Sequence, residues 1–539
     1  MFSLVFAVAA VGFLIHELNR PQVAAQMDRV MAAAAEPVSA PESAVPPAAV
    51  TPADPAQFRT LLDLAGWDAK RFSTLRDGPL SDDQREALAE LLWRLRTFDG
   101  PQLAAWARAG ATLPAIAAAP SEHAGDLVEL VGRVTKVERH ALPAELEARL
   151  EMPAYFECKM TLADGAGEAM IITSRVPNAW LEMPALDEPA KAAGVFIRLP
   201  PAENGATDGL FVSREIAWHP QQPRQPFVSL GESVLGELGV DVGLLAGVRQ
   251  RRPISRAERE TFYQVLDAAG RIGANQLTRF ATQDLDSVQK RWAAVEQRLA
   301  ASQKDAPAGS NERDRARLQM AHEVQSRAAK GRYSVAPLFN DAKNQVGELV
   351  TLDGTARRVT RIDVGQSPDG TTSDVARRFG IDHYYEIDLF TDDSQNNPLV
   401  FCVRELPPGF PLGDGLHEPV RLAGFFFKSW SFQSRRAALP AAPDGAPNAA
   451  DLRQIAPLVI GRSPILLEQP EASVSRSIGL IAASLFVLLL AAIWVAGWWL
   501  ARDDRRFVAT TLAKQYSLAE GESLNDLDFD LRETPRENE

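Results

Sequence analysis

Two periods of hydrophobic and polar residues run along this chain, and each occurs twice. Behind Ser81 the apolar positions Leu88, Leu91, Leu92 and Leu95 recur every three or four residues, which predicts an amphipathic helix. Ser81 is a suitable N-cap, and Asp82 and Asp83 suit the positive end of the helix dipole. Gly100-Pro101 breaks the pattern, and a second helix is expected from Leu103. The stripe returns behind Ser255 as Phe262, Leu266 and Ala269, with a break expected at Ala274-Asn275. Farther on the period falls to two. Leu127, Glu129, Val131 and Arg133 alternate with Val128, Leu130, Gly132 and Val134, and residues 349–362 repeat the alternation, as strands do.

Four blocks recur in the same order. Residues 81–107 align without a gap with 255–281, and 125–132 with 347–354. Tyr155, Phe156 and Glu157 align with Tyr384, Tyr385 and Glu386, and residues 188–196 with 418–426. An ordered series of matches predicts an α+β chain with a tandem duplication: a helical hairpin followed by a small β-barrel, twice. Each barrel is expected to hold about five short strands, the first long and bending through Gly132 or Gly354. In strand count, order and that glycine the blocks resemble the OB-fold, a five-stranded Greek-key barrel. A β-sandwich of the same strands is the alternative. The hairpins are expected at 57–120 and, with a charged helical connector, at 226–335; the barrels at 121–225 and 336–470, the second with a disordered insertion at 437–450.

Residues 478–500 contain no charge over 23 positions, enough at 1.5 Å per residue to cross a hydrocarbon core of about 30 Å. Trp494, Trp498 and Trp499 crowd one end, and Arg502, Arg505 and Arg506 follow. This pattern predicts a transmembrane helix with the acidic tail 501–539 in the cytoplasm and the main body outside the cytoplasmic membrane. Residues 1–20 are expected to be a signal peptide or an uncleaved N-terminal anchor, and 21–56 an Ala/Pro-rich disordered linker.

Net charge is −13, and the barrel segments are acidic as well: 9 basic against 15 acidic residues over 125–218, and 10 against 13 over 347–436. This balance counts against nucleic acid as a partner. Cys158 and Cys402 lie in apolar strand-like runs at non-equivalent places of the repeats, as free, buried thiols would. The seven histidines form no HxH, HxxxH or HExxH, and no CxxC, GxSxG or phosphate-binding glycine loop occurs. No catalytic residue, metal or cofactor is therefore expected. The run from Phe425 to Phe432 offers one candidate binding surface, since alternation puts Phe426, Lys428, Trp430 and Phe432 on one face. The expected function is a membrane-anchored, exported, non-catalytic binding or scaffold protein of the cell envelope, whose partner is another envelope protein or a glycan. Two alternatives remain: a membrane-associated protein binding single-stranded nucleic acid, and an envelope hydrolase using Glu157 or Glu386, or Asp382 with His383.

Overall fold

The computed structural model describes residues 55–75, 80–163, 165, 167–199, 208–304, 311–367, 369–433, 453–467 and 483–499. The expected N-terminal segment, nearly all of the linker, the 437–450 insertion and the C-terminal tail lie outside these residues. Residues up to 465 form one compact unit and residues from 466 a second.

In the first unit Ser81 caps α1 (Asp82–Leu95): its hydroxyl accepts the Gln84 N–H at 3.3 Å, and Gln84 Oε1 accepts the Ser81 N–H at 3.3 Å. Pro101 sits in the first turn of α2 (Gly100–Trp106), where a missing N–H costs nothing, so the Gly-Pro pair starts this helix, while α1 has already ended at Leu95. Five strands follow: β1 (Leu127–Ala141), β2 (Ala154–Leu162), β3 (Glu168–Thr173), β4 (Glu188–Arg198) and β5 (Asp208–Trp218). They close as β1-β2-β3-β5-β4, with β3 and β5 parallel. The β1–β2 connection carries α3 (Ala144–Leu150).

Four helices lead on: α4 (Leu230–Glu237), α5 (Arg256–Arg271), α6 (Ala274–Lys304) and α7 (Asn311–Ala328). Ser255 and Glu258 repeat the capping box at the start of α5. The break falls at Ile272 and Gly273, just ahead of the expected position, and Ala274 already belongs to α6. The second arms of the two hairpins also differ, with 7 residues in α2 and 31 in α6. After α2 the chain turns extended at Ala107 and reaches Gly110 with φ +72°, whereas residues 274–304 contain neither Gly nor Pro.

The second sheet includes β6 (Leu349–Asp363), β7 (His383–Phe390), β8 (Leu399–Val403), β9 (Gly413–Gln433) and β10 (Arg453–Gly461). These five run in the order β10-β8-β7-β6-β9; β10 also pairs with β9, and β8 and β10 are parallel. The registers coincide with those of the first sheet. Leu127 faces Val195 as Leu349 faces Phe425, and Val134 faces Glu188 as Ala356 faces Glu418. The ladder to β2 slips between Val134 and Lys136, and that to β7 between Ala356 and Arg358. A closed five-stranded barrel of this order is compatible with an OB-fold. Gly132 and Gly354 permit it: a Cβ there would lie 2.2 Å from the Thr161 carbonyl oxygen and 2.5 Å from that of Phe390.

Each hairpin helix covers the outside of its barrel. Leu88, Leu91, Leu92 and Leu95 pack with Ile172, Val195, Leu210 and Val212. Phe262, Val265, Leu266 and Ala269 pack with Val400, Cys402, Leu458 and Ile460. Cys158 and Cys402 are free and buried. Leu285, Val288 and Trp292 of α6, with Met320 and Val324 of α7, close the second barrel over Leu389, Phe401 and Phe426.

A buried cation ties α5 to the barrel. Lys428, 0% exposed, donates to Glu258 Oε1 at 2.8 Å. Burial alone would raise the Glu258 carboxyl; hydrogen bonds from Lys428, Ser255 and Arg249 outweigh it and hold the group below its usual range.

The second unit contains one described helix, residues 483–499. Its large apolar side chains, including Leu485, Leu488, Trp494 and Trp499, are exposed. Among the described residues no helix is long and apolar enough to cross a membrane. The remainder of the expected span, residues 478–482 and 500, lies outside them.

Three outcomes follow from these contacts. Gly132→Ala and Gly354→Ala each drive a Cβ into backbone and should lower stability in urea unfolding by about 1–3 kcal/mol. Lys428→Met strands the Glu258 charge and should cost about 3–5 kcal/mol, part of which Glu258→Gln restores in the double variant. The third concerns pH. Burial pushes both Glu232 and Asp241 up to about 7. Their folded-state pKa values exceed the unfolded ones, so the stability they contribute is full below about pH 4 and is lost as pH rises through about 7. The urea midpoint should fall between pH 5 and pH 8, and a Glu232→Gln, Asp241→Asn double variant, which keeps the acceptor oxygens, should flatten that fall.

Candidate binding site

The expected aromatic surface on β9 does not form. The ladder between β9 and β10 skips a residue between Phe426, opposite Val459, and Lys428, opposite Leu458. This bulge takes Phe426 into the second barrel's interior, where it is fully buried. Residues 250–255 cover the strand outside it: Arg251 N–H donates to Ser429 O at 2.7 Å, and Ser429 N–H to Gln250 Oε1 at 2.7 Å. Lys428 is the buried partner of Glu258, and Trp430 is half-buried against the helix-facing core. Phe432 pairs with Gln454 in the ladder. The first barrel has the same bulge between Phe196 and Arg198, and Arg198 donates to Leu75 O at 3.3 Å. The repeated cation thus holds the turn ahead of α1 in the first half and the start of α5 in the second.

Glu157 and Glu386 hold equivalent register positions in separate barrels, on β2 and β7. Arg85 of α1 pairs with Glu157 at 3.1 Å, and burial raises Glu386. His383 begins β7 with its ring edge against Tyr385; burial lowers it, and Arg361 and Arg404 add to the effect.

A cleft of about 530 Å³ opens on the first barrel, beside the β1–β2 connection. Four guanidinium groups line it: Arg96 just beyond α1, Arg139 on β1, Arg175 just beyond β3 and Arg214 on β5. Arg139 lies directly opposite Phe156 of β2, which forms an apolar wall. Arg96 Nη1 donates to the carbonyls of Leu150 at 3.5 Å and Glu151 at 3.4 Å. Arg175 pairs with Glu215 at 2.7 Å, and Arg214 donates to the Phe98 carbonyl. Arg139 is exposed and has no ion-pair partner among the described residues. Arginine stays protonated at any physiological pH, and its planar fork matches carboxylate and phosphate oxygens in pairs. Against Glu151 and Glu215 the four arginines leave an excess of two positive charges (4 − 2).

On the opposite face of the same ribbon Glu138, His140 and Glu157 come together, their ligand atoms all within 4.8 Å of one another. Histidine spacing does not reveal this group, because Glu138 and His140 are two residues apart on a strand and Glu157 comes from its neighbour. A Glu-x-His step inside a strand pattern is the signal that was available. The four arginines of the cleft are spread over 119 positions of sequence (214 − 96 + 1) and carry no local signature.

No family model and no curated protein matches the chain. Among solved structures it is similar to an aspartyl tRNA synthetase from Entamoeba histolytica, with 12% sequence identity over 50% of this chain and 48% of that one. The chain thus matches about half the length of that structure, and the TM-score of 0.13 is too low to carry an argument about fold or function.

Proposed function

We propose that this chain is a membrane-anchored, exported binding protein whose two OB-like modules stand outside the cytoplasmic membrane. Its ligand is an anionic segment, bearing carboxylate or phosphate, of another envelope component, either a protein or a glycan. The observation that carries the reading is the convergence of Arg96, Arg139, Arg175 and Arg214 on one cleft beside Phe156. Its volume of about 530 Å³ falls within the range of about 300–1,000 Å³ usual for ligand sites. On a chain of net charge −13 a positive cleft attracts anions locally while the rest of the surface repels them. The anchor rests on the uncharged run 478–500, the arginines after it and the exposed apolar side chains of the helix at 483–499.

The nucleic-acid reading draws on one specific feature, the pairing of Phe156 with Arg139, since an aromatic beside a cation can stack a base. Titration of the detergent-solubilised full chain with an acidic oligosaccharide and with a single-stranded oligonucleotide separates the two. Acidic sugar is expected to bind. Arg139→Ala, which breaks no internal ion pair, is expected to weaken it about tenfold, matching about 1.4 kcal/mol for one charged contact. Steeply salt-dependent oligonucleotide binding without sugar binding would replace the proposal. An unchanged affinity in Arg139→Ala would remove the cleft from it.

A further inference from the structure

We propose that Glu138, His140 and Glu157 bind a single first-row divalent metal ion, with Zn²⁺ the best match, on the outer face of the β1–β2 ribbon. This inference is independent of the arginine cleft, which lies on the ribbon's other face.

Geometry gives the first reason. Glu138 and His140 share a face of β1 because alternate strand residues do, and Glu157 stands directly opposite Glu138. His140 Nε2 lies 3.4 Å from Glu157 Oε2 and 3.9 Å from Glu138 Oε2. Three donors at about 2.0–2.1 Å from a tetrahedral ion stand about 3.3 Å apart, so a small movement of the exposed Glu138 side chain completes the triangle. The fourth position stays open to water.

The second reason is a nitrogen without a hydrogen bond. The His140 ring as a whole is 32% exposed, yet its Nε2 atom is shut off from solvent and makes no hydrogen bond. Stacking on Tyr155, with centroids 5.2 Å apart and planes 18° from parallel, holds the ring with that nitrogen turned toward the two carboxylates. A buried nitrogen that makes no hydrogen bond is costly, and beside two carboxylates a metal ion gives it a bond.

Charge gives the third. Like charges directly opposite each other on paired strands are destabilising. Lys136 pairs with Glu138 and Arg85 with Glu157, each drawing on one carboxylate, while a dication between the two neutralises both. The second barrel acts as an internal control. Its equivalent positions carry Thr360, Ile362 and Glu386, so a barrel of this register closes without the first Glu or the His. Two carboxylates with one imidazole form a mixed oxygen and nitrogen set suited to Zn²⁺, whereas Ca²⁺ asks for six or more oxygens.

The test is calorimetric titration of the detergent-solubilised full chain with Zn²⁺ at pH 7.5, alongside the visible spectrum of Co²⁺ as an optical probe. The wild type should bind at a site that His140→Ala and Glu157→Gln each weaken at least tenfold, and both should lose the Co²⁺ absorption. His322→Ala, which removes an exposed His paired with Glu296 elsewhere, should leave that site unchanged. Glu138→Gln alters an exposed side chain and keeps the test decisive should His140→Ala misfold; it should weaken binding at least threefold. Absence of Zn²⁺ binding to the wild type at millimolar concentration overturns the proposal. So does unchanged affinity in either His140→Ala or Glu138→Gln.

Discussion

One long strand serves two neighbours in each barrel, and everything else is arranged around that demand. The first half of β1 pairs with β4 and its second half with β2; β6 divides itself between β9 and β7 in the same way. Such a strand has to bend. Gly132 and Gly354 sit where a neighbouring carbonyl comes too close for any Cβ, and the register slips two residues later in both. The parallel pairings of β3 with β5 and β8 with β10 complete each ring.

Closing the sheets leaves their outer faces greasy, and the hairpin helices cover them. This explains the aromatic run on β9. Residues that look like an exposed platform are divided by the bulge, so that Phe426 fills the barrel while Lys428 reaches back to the α5 cap. A buried Lys–Glu pair costs desolvation, and such a pair is retained where geometry is good and further hydrogen bonds satisfy it. Here the Ser255 and Arg249 N–H groups complete the Glu258 shell, fixing helix position as well as charge.

What packing does not use lies at the far end of the β1–β2 ribbon. Alternation divides that ribbon cleanly: Arg139 and Phe156 face the arginine cleft, while Glu138, His140, Tyr155 and Glu157 face the other way. The second barrel keeps the ribbon, with Arg361, Tyr384, Tyr385 and Glu386 at the matching positions, but carries Thr360 and Ile362 in place of Glu138 and His140, and its Arg361 pairs with Asp363. The two halves share a scaffold and differ in what they display.

Local order was legible because it depends on near neighbours. The Ser81 and Ser255 caps, the helical stripes behind them, the alternation of β1 and β6 and the need for Gly132 and Gly354 all follow from spacing within a few residues. Matching blocks such as 188–196 and 418–426 carried a shared register, since a slip of one residue would turn each apolar face outward. Spacing could not reveal the bulge that buried Lys428, the unbroken run of α6 or the assembly of Arg96, Arg139, Arg175 and Arg214 around one cleft. Those depend on which strands meet in space. By itself the sequence determined the helical stripes behind Ser81 and Ser255 and the alternation of β1 and β6, because periodicity and turn chemistry are local; the tertiary structure decided which face of β9 is covered and which charged groups share a surface, because barrel closure joins residues that the chain keeps far apart.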